Sequence, residues 1–506
     1  MTDNTEKTKR IAKNTLLLYF RMFFLMLLGL FTSRIVLESL GESDFGIYSV
    51  VGGVVAMFTV ISGALSAAVG RFINIELGLG NTGRIRDVYS TSVIVMAIIA
   101  LIVAILAEPC GLWFIDNKMN IDPNKIPAAR WVLQFSIASF VVNLVSVPQM
   151  AAITAHEQMK AYAYIGIIDG LLRLATAYLI SVSPGCRLVL YAAMMFMTVV
   201  VVRVCYVVFC RLYIPQCTFK FIYDKRLLKQ MFSFAGWEFI GTSAGVLRDQ
   251  GGTIIVNVFF GTVMNAAYGM AVQMYSVIHG FVTNFMTAVN PQITKSFSSG
   301  DHHYMFSLVR KSSRMSYYLI FLFALPLLFN TQFVLDVWLK DVPEHTVSFA
   351  QLLLVFALLD SLARPMITAL RAEGNIKDYQ IIVGGLQLLN LPVSYLLLKL
   401  GCMAEIIVVV SIVISLVCVF VRLLMLNRKI NFPVKDFVVK VLVNVLKVTA
   451  VAVILPLVVC RYIPDTLVGG LASLALVFVS ALLTIAFVGC TQVERKEIIS
   501  MIRSKF

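Results

Sequence analysis

The chain has 506 residues, of which 59% are hydrophobic and 14% charged, and its mean hydropathy is +0.88. These values exclude a soluble enzyme and a disordered chain, and they are typical of a polytopic membrane protein. The formal net charge of +15 would suit a nucleic-acid partner, but the basic residues are spread over many short loops, so no nucleic acid is expected.

The apolar runs predict an all-α protein with about fourteen transmembrane helices, because a spanning helix takes about 20 mostly apolar residues. The predicted centres lie near residues 25, 57, 98, 142, 171, 200, 245, 277, 325, 359, 389, 415, 452 and 479. The first run does not read as a removable signal peptide, since Arg21 interrupts it and Arg34 follows it without a small-residue cleavage pattern. We therefore expect the amino terminus to be retained.

Lysines and arginines alternate between the two sides of the predicted membrane. Of the 42, 30 fall in the two termini and in every second loop with its adjoining helix ends, 8 fall on the opposite side, and 4 lie within predicted helices. In membrane proteins the excess of basic residues marks the cytoplasmic loops. Both termini are therefore predicted to be cytoplasmic.

The four basic residues inside apolar runs are Arg21, Arg173, Arg248 and Arg364. A charge at the centre of a membrane helix costs about 2.5–3.5 kcal/mol on insertion scales, so it normally faces a bundle interior or a wet cavity and indicates a functional site. These arginines predict a polar path through the membrane.

Two of these arginines follow an acidic residue by one helical turn. Asp169 precedes Arg173 by four residues, and Asp360 precedes Arg364 by four, so each pair lies on one helical face. Each pair is either an internal ion pair that lowers the cost of insertion or part of a cavity lining.

The other two arginines differ in their neighbours. Arg21 has no acidic residue within a helical turn, which favours a position facing a cavity. Asp249 follows Arg248 directly but points about 100° away around the helix.

The seventh predicted helix carries two carboxylates, Glu238 and Asp249, eleven residues apart and therefore on nearly the same face. Desolvated carboxylates can take up a proton near neutral pH or share a sodium ion. This pair is the candidate for cation coupling. The alternative places one carboxylate at the membrane interface and pairs the other with an arginine.

Catalytic and metal-binding patterns are missing from the sequence. None of the five histidines has a ligand partner at a suitable spacing on its own predicted helix, and no phosphate-binding Gly-x-x-x-x-Gly-Lys-Ser/Thr motif occurs. The nine cysteines show no paired spacing. We therefore expect no metal, no cofactor and no enzymatic activity, and we expect energy from an ion gradient or a partner.

A weak internal repeat relates the two halves of the chain. Gly41 and Tyr48 are matched in the second half by Gly261 and Tyr268, and at the same separation Ala68, Val69 and Ile73 are matched by Ala288, Val289 and Ile293. Transporters are commonly built from two related bundles. We predict a lobe of helices 1 to 6 in residues 1–213, a lobe of helices 7 to 12 in residues 214–430, and two additional helices with a cytoplasmic tail in residues 431–506.

Two stretches resemble a known family. Residues 33–53, SRIVLESLGESDFGIYSVVGG, preceded by Lys13-Asn14-Thr15, are similar to the opening of bacterial polysaccharide flippases, and residues 364–379, RPMITALRAEGNIKDY, are similar to their junction between the tenth and eleventh helices. These flippases belong to the multidrug/oligosaccharidyl-lipid/polysaccharide exporter superfamily. The resemblance implies a bacterial cytoplasmic membrane protein that moves an undecaprenyl-diphosphate-linked oligosaccharide to the outer leaflet by alternating access.

A lipid diphosphate suits the intramembrane arginines, because a guanidinium binds phosphate through two hydrogen bonds and remains charged. We therefore expect the four arginines to bind the lipid diphosphate, with Na⁺ or H⁺ coupling, membrane lipids as surroundings and a monomer as the working state.

Three alternatives remain open. One is a drug or metabolite exporter of the same fold, for which acidic and aromatic groups would be expected instead of arginines. Another is a flippase for the peptidoglycan precursor. The third is a membrane sugar polymerase, which should have a longer outer loop with catalytic residues.

Overall fold

The computed structural model describes residues 2–56, 59–117, 122–183, 186–221, 224–338, 342–459, 463, 466–492 and 494–495. Its regular structure within these ranges is helical, as predicted. Helices are the expected form for apolar segments in lipid, because they satisfy every backbone hydrogen bond within the segment.

The first half of the chain forms α1 (Thr2–Ala56), α2 (Thr59–Gly78), α3 (Thr82–Asn117), α4 (Ile126–Ala155), α5 (Met159–Val182), α6 (Arg187–Tyr213) and α7 (Lys225–Ser298). The second half forms α8 (His302–Phe329), α9 (Thr331–Trp338), α10 (Thr346–Glu373), α11 (Lys377–Lys399), α12 (Ile406–Ile430), α13 (Val434–Val458) and α14 (Leu467–Gly489). Helices α11, α13 and α14 each contain a π-helical turn.

Among the described residues, ten helices are long and apolar enough to cross a membrane. The protein is therefore a multi-pass membrane protein. Helices α1 and α7 are each interrupted by a glycine with non-helical geometry, so each contains two helical segments. The total of fourteen spanning helices and the cytoplasmic position of the termini remain predictions.

The helices group into two compact units. The N-terminal unit comprises Arg10–Thr242, and in it α4 packs against α2, α3 and α6. The C-terminal unit comprises Ser243–Phe506 with Met1–Lys9, and in it α10 packs against α8 and α12 while α14 packs against α8. The division falls inside α7, whereas the sequence placed it at residue 213. The predicted domain limits at 213 and 430 remain a functional proposal about lobes.

The two glycines that interrupt α1 and α7 occupy equivalent positions of the internal repeat. Gly41 has φ 76° and ψ 167°, and Gly261 has φ 79° and ψ −169°. The two equivalent glycines therefore share a backbone conformation in which a residue with a side chain would be strained. Gly80 and Gly300, which have the same separation along the chain, end the following helices with φ of 73° and 79°. The repeat suggested by the sequence thus has a counterpart in the structure.

A second stretch continues the repeat at a slightly shorter separation. Residues 143–162 and 360–379 share five identities in twenty positions: Pro148 with Pro365, Ala152 with Ala369, Ala155 with Ala372, Lys160 with Lys377, and Tyr162 with Tyr379. The turns inside them match as well, because Glu157 and Gly374 both have positive φ, 58° and 99°. The family-like junction at 364–379 therefore has a counterpart in the first half.

Candidate functional site

Arg21 of α1 packs against α5. Its guanidinium carbon is 4.4 Å from the centre of the Tyr162 ring, a cation–π contact. It also lies directly against Gly166, where a Cβ would overlap the guanidinium. The Arg21 Nε has no hydrogen-bond partner among the described residues. The absence of a side chain at Gly166 therefore makes room for a charge with hydrogen-bonding capacity to spare.

Arg173 forms the predicted pair with Asp169 in the same unit. Its Nε donates to Asp169 Oδ1 at 3.0 Å, with side-chain exposures of 43% and 31%. Arg173 lines two cavities, of about 350 and 230 Å³. Tyr191 lines the larger and Asn143 the smaller. Arg173 is thus an accessible cation beside two cavities.

Arg364 forms the second predicted pair more tightly. Its Nε and Nη2 donate to Asp360 Oδ2 at 3.0 and 2.7 Å. The Asp360 side chain is 12% exposed and that of Arg364 is 38% exposed. His279 of α7 also belongs to this group, since its Nε2 lies 2.6 Å from Arg364 Nη2. The sequence did not predict this contact, which joins residues 85 positions apart.

Arg248 belongs to the same group through aromatic side chains. Its guanidinium carbon lies 5.1 Å from the Phe356 ring centre, Phe356 lies 5.8 Å from Tyr275, and Tyr275 stacks on His279 at 5.4 Å. Arg248 also interacts electrostatically with Asp360. The C-terminal unit therefore brings Arg248 and Arg364 to one mixed aromatic and charged cluster.

Of the predicted cation-coupling pair, the structure describes the side chain of Glu238 only. Glu238 is 1% exposed and lies in the N-terminal unit. The side chain of Asp249 lies outside the described residues, so the proximity of the two carboxylates remains a prediction. The described residues contain no group of three His, Cys, Asp or Glu side chains that could hold a metal ion.

Two further arginines inside apolar runs were missed as site candidates because they were counted with the basic inner side. Arg203 of α6 donates to the Val145 carbonyl and the Gln149 side chain. Arg422 of α12 is 2% exposed and hydrogen-bonds Tyr379. Their apolar neighbours in the sequence were the signal that could have identified them.

The membrane-spanning helices and the arginines inside them follow a pattern known from membrane proteins. Helices that cross a membrane and carry charges against internal cavities are typical of transporters. The described helices and arginines of this chain have this pattern.

The family follows from the sequence. A model of the polysaccharide biosynthesis protein family matches residues 11–297, more than half of the chain, and the chain belongs to this family. A curated relative, the uncharacterized membrane protein EpsK of Bacillus subtilis (strain 168), is 20% identical over 292 residues. The match spans 57% of this chain and 57% of EpsK, so the chain spans little more than half the length of this relative.

Solved structures show the same fold. A MATE crystal structure in complex with MaD3S superposes with a TM-score of 0.72 at 11% identity, covering 83% of this chain and 96% of that one. A transporter of the MOP superfamily from Pyrococcus furiosus, described as having a binding pocket of reverse polarity, superposes with a TM-score of 0.70 at 12% identity, covering 85% and 96%. The solved structures show the fold, and the family model confirms a polysaccharide biosynthesis family, as the two sequence stretches predicted.

Proposed function

We propose that the protein moves an undecaprenyl-diphosphate-linked oligosaccharide from the inner to the outer leaflet of the bacterial cytoplasmic membrane, for lipopolysaccharide or another surface polysaccharide. The membership in a polysaccharide biosynthesis family supports a glycan cargo. The superfamily fold supports transport by alternating access.

The observation that carries the proposal is the distribution of cations. The N-terminal unit contains Arg21 and Arg173, and the C-terminal unit contains Arg248 and Arg364. Each guanidinium lies against an aromatic ring or a carboxylate, which lowers the cost of keeping it in an apolar region.

The neutralised arginines remain able to bind cargo. A diphosphate carries more negative charge and more acceptor oxygens than one carboxylate, so it competes with Asp169 or Asp360 for the guanidinium. When the cargo leaves, the carboxylate takes its place again, and the arginine does not remain uncompensated in the membrane. This exchange of anions supports release as well as binding.

Movement of the cargo against a gradient needs an energy source, and we propose coupling to H⁺ or Na⁺. Glu238, which is almost fully buried, is one candidate for the coupling group, together with Asp249. Replacing both carboxylates should abolish gradient dependence. Unchanged gradient dependence would exclude them.

The test uses liposomes that contain the purified protein and a fluorescent polyprenyl-diphosphate oligosaccharide. Movement between leaflets is compared for wild type, Arg21→Ala and Arg248→Ala. Arg130→Ala is the control, because Arg130 lies near the start of α4, pairs with Asp116 and has a side chain that is 53% exposed. We expect Arg21→Ala and Arg248→Ala to abolish movement and Arg130→Ala to retain it. Export of a cationic dye without lipid movement under either gradient would contradict the proposal and favour a drug exporter.

A further inference from the structure

His279 joins the arginine–carboxylate pair of the C-terminal unit from a different helix. Its Nε2 lies 2.6 Å from Arg364 Nη2 and 3.6 Å from Asp360 Oδ2, while Arg364 Nη2 donates to the same Asp360 oxygen at 2.7 Å. The side chains of His279 and Asp360 are 20% and 12% exposed. Water therefore screens the contact between His279 and Asp360 weakly, and it screens the contacts of Arg364, whose side chain is 38% exposed, more strongly.

The contact with Arg364 requires one protonation state of His279. A guanidinium has only donors, so Arg364 Nη2 can approach His279 Nε2 this closely only if that nitrogen offers a lone pair. His279 is therefore neutral in this arrangement, with its proton on Nδ1. The Nδ1 atom lies 3.4 Å from Thr283 Oγ1, which can accept that proton in a hydrogen bond.

A proton added at Nε2 changes every side of the triangle. The imidazolium and the guanidinium would be like charges at the distance of a hydrogen bond, which is unfavourable. The same N–H would face Asp360 and could donate to it after a small rotation of the ring, because the two heavy atoms are already 3.6 Å apart. His279 would then take the place of Arg364 at the carboxylate.

We infer that His279 is a proton-binding switch, in which protonation of Nε2 transfers Asp360 to the histidine and releases Arg364 to bind an anionic ligand. The proton comes from solvent and occupies the nitrogen lone pair that Arg364 now uses, so no other reactant is needed. The identity of the anion as a diphosphate rests on the proposed function.

The surroundings strengthen this linkage. Among the described side chains, the remaining titratable and charged groups that interact electrostatically with the triangle are Arg248 and Tyr275 of α7 and Cys418 and Arg422 of α12. Among these described side chains, Asp360 is the acidic group beside three arginines, Arg248, Arg364 and Arg422. A protonated His279 raises the positive charge of this cluster, so proton and anion favour each other's binding reciprocally.

The first experiment needs no cargo. Full-length protein with ¹⁵N-labelled histidine and arginine is titrated by NMR, and the signals of His279 and Arg364 are assigned through His279→Gln and Arg364→Lys. We expect the Arg364 Nε signal to shift with the same midpoint as the His279 ring, and to lose that shift in His279→Gln. An Arg364 signal that ignores the protonation of His279 would overturn the inference.

The matched control is His345→Gln. His345 also contacts a carboxylate, Glu405 Oε1 at 2.6 Å, but no arginine takes part in that contact. The coupled titration of His279 and Arg364 should persist in this variant. Its loss in His345→Gln would mean that a general effect of protonation moves the Arg364 signal, and the inference would fail.

The second experiment measures binding of farnesyl diphosphate, with farnesol as the uncharged control ligand, between pH 8 and pH 6. The ionisation of the ligand affects wild type and His279→Gln equally, so the difference between them reports the switch. We expect wild type to gain about tenfold more affinity over this range than the variant, within the usual size of coupling between two ligands. Equal gains in both proteins would overturn the inference.

The two experiments separate this inference from the proposed function. A coupled titration of His279 and Arg364 with no binding of farnesyl diphosphate at any pH would support the switch and count against a diphosphate cargo. Binding of the diphosphate with Arg364 unresponsive to His279 would support the cargo and refute the switch.

Discussion

The two arginine–aspartate pairs have the same spacing but different surroundings, and this difference predicts different contributions to stability. The Asp360–Arg364 pair has two hydrogen bonds, at 2.7 and 3.0 Å, and a carboxylate that is 12% exposed. The Asp169–Arg173 pair has one, at 3.0 Å, and a carboxylate that is 31% exposed. Replacing each aspartate by asparagine keeps the shape and removes the charge.

The magnitude follows from exposure. Breaking a buried ion pair costs about 3–5 kcal/mol, and an exposed pair contributes about 0–1 kcal/mol. The Arg364 side chain is 38% exposed, which reduces the first figure. We therefore expect Asp360→Asn to lower the free energy of unfolding by about 2–3 kcal/mol and Asp169→Asn by less than about 1 kcal/mol.

The assay is reversible unfolding of the purified protein in mixed micelles, followed by a spectroscopic signal for each variant. The double variant Asp360→Asn with Arg364→Gln should recover part of the loss, because it removes the charge that was left without a partner. Losses for Asp360→Asn and Asp169→Asn that agree within about 0.5 kcal/mol would refute the reasoning from exposure.

Two further predictions concern glycines and cysteines. Gly261→Ala should destabilise the protein by about 1–3 kcal/mol, because φ 79° with ψ −169° is a backbone conformation that is essentially restricted to glycine. Gly269→Ala, in a regular and open part of α7, should be neutral or stabilising. Equal unfolding temperatures for the two variants would contradict this. An impermeant maleimide should label exposed Cys186 on intact cells. In opened membranes Cys217 should react with the maleimide at least roughly tenfold more slowly than Cys186, because burial raises the pKa of its thiol. Equal reaction rates for the two cysteines would contradict this.

Local spacing predicted what lies close along the chain. The pairs Asp169–Arg173 and Asp360–Arg364 could be foreseen because residues four apart share a helical face. The repeat could be foreseen at Gly41 and Gly261 because a shared backbone conformation demands glycine in both places. Helical class and family resemblance followed from composition and from two short stretches.

Contacts between distant segments could not be predicted from spacing. His279 lies beside Arg364 although 85 residues of chain separate them, and Phe356 lies beneath Arg248 because α10 and the part of α7 from Ser243 onward belong to the same packed unit. The space for the Arg21 side chain depends on Gly166, a residue that is distant in sequence but adjacent in the structure. Pairings of this kind arise from tertiary packing, and tertiary packing leaves no periodic pattern in a single sequence.

The second repeat stretch has a consequence for how such a transporter changes its cargo. When residues 143–162 are aligned with 360–379, Asp360 corresponds to Asn143 and Arg364 corresponds to Val147, so the same backbone carries an ion pair in one half and uncharged side chains in the other. Charge is therefore not a requirement of the scaffold. A duplicated bundle of this kind can acquire a new ligand preference through a few substitutions in one copy while the other copy preserves the fold, and domain shuffling or laboratory evolution should find altered selectivity at these positions first.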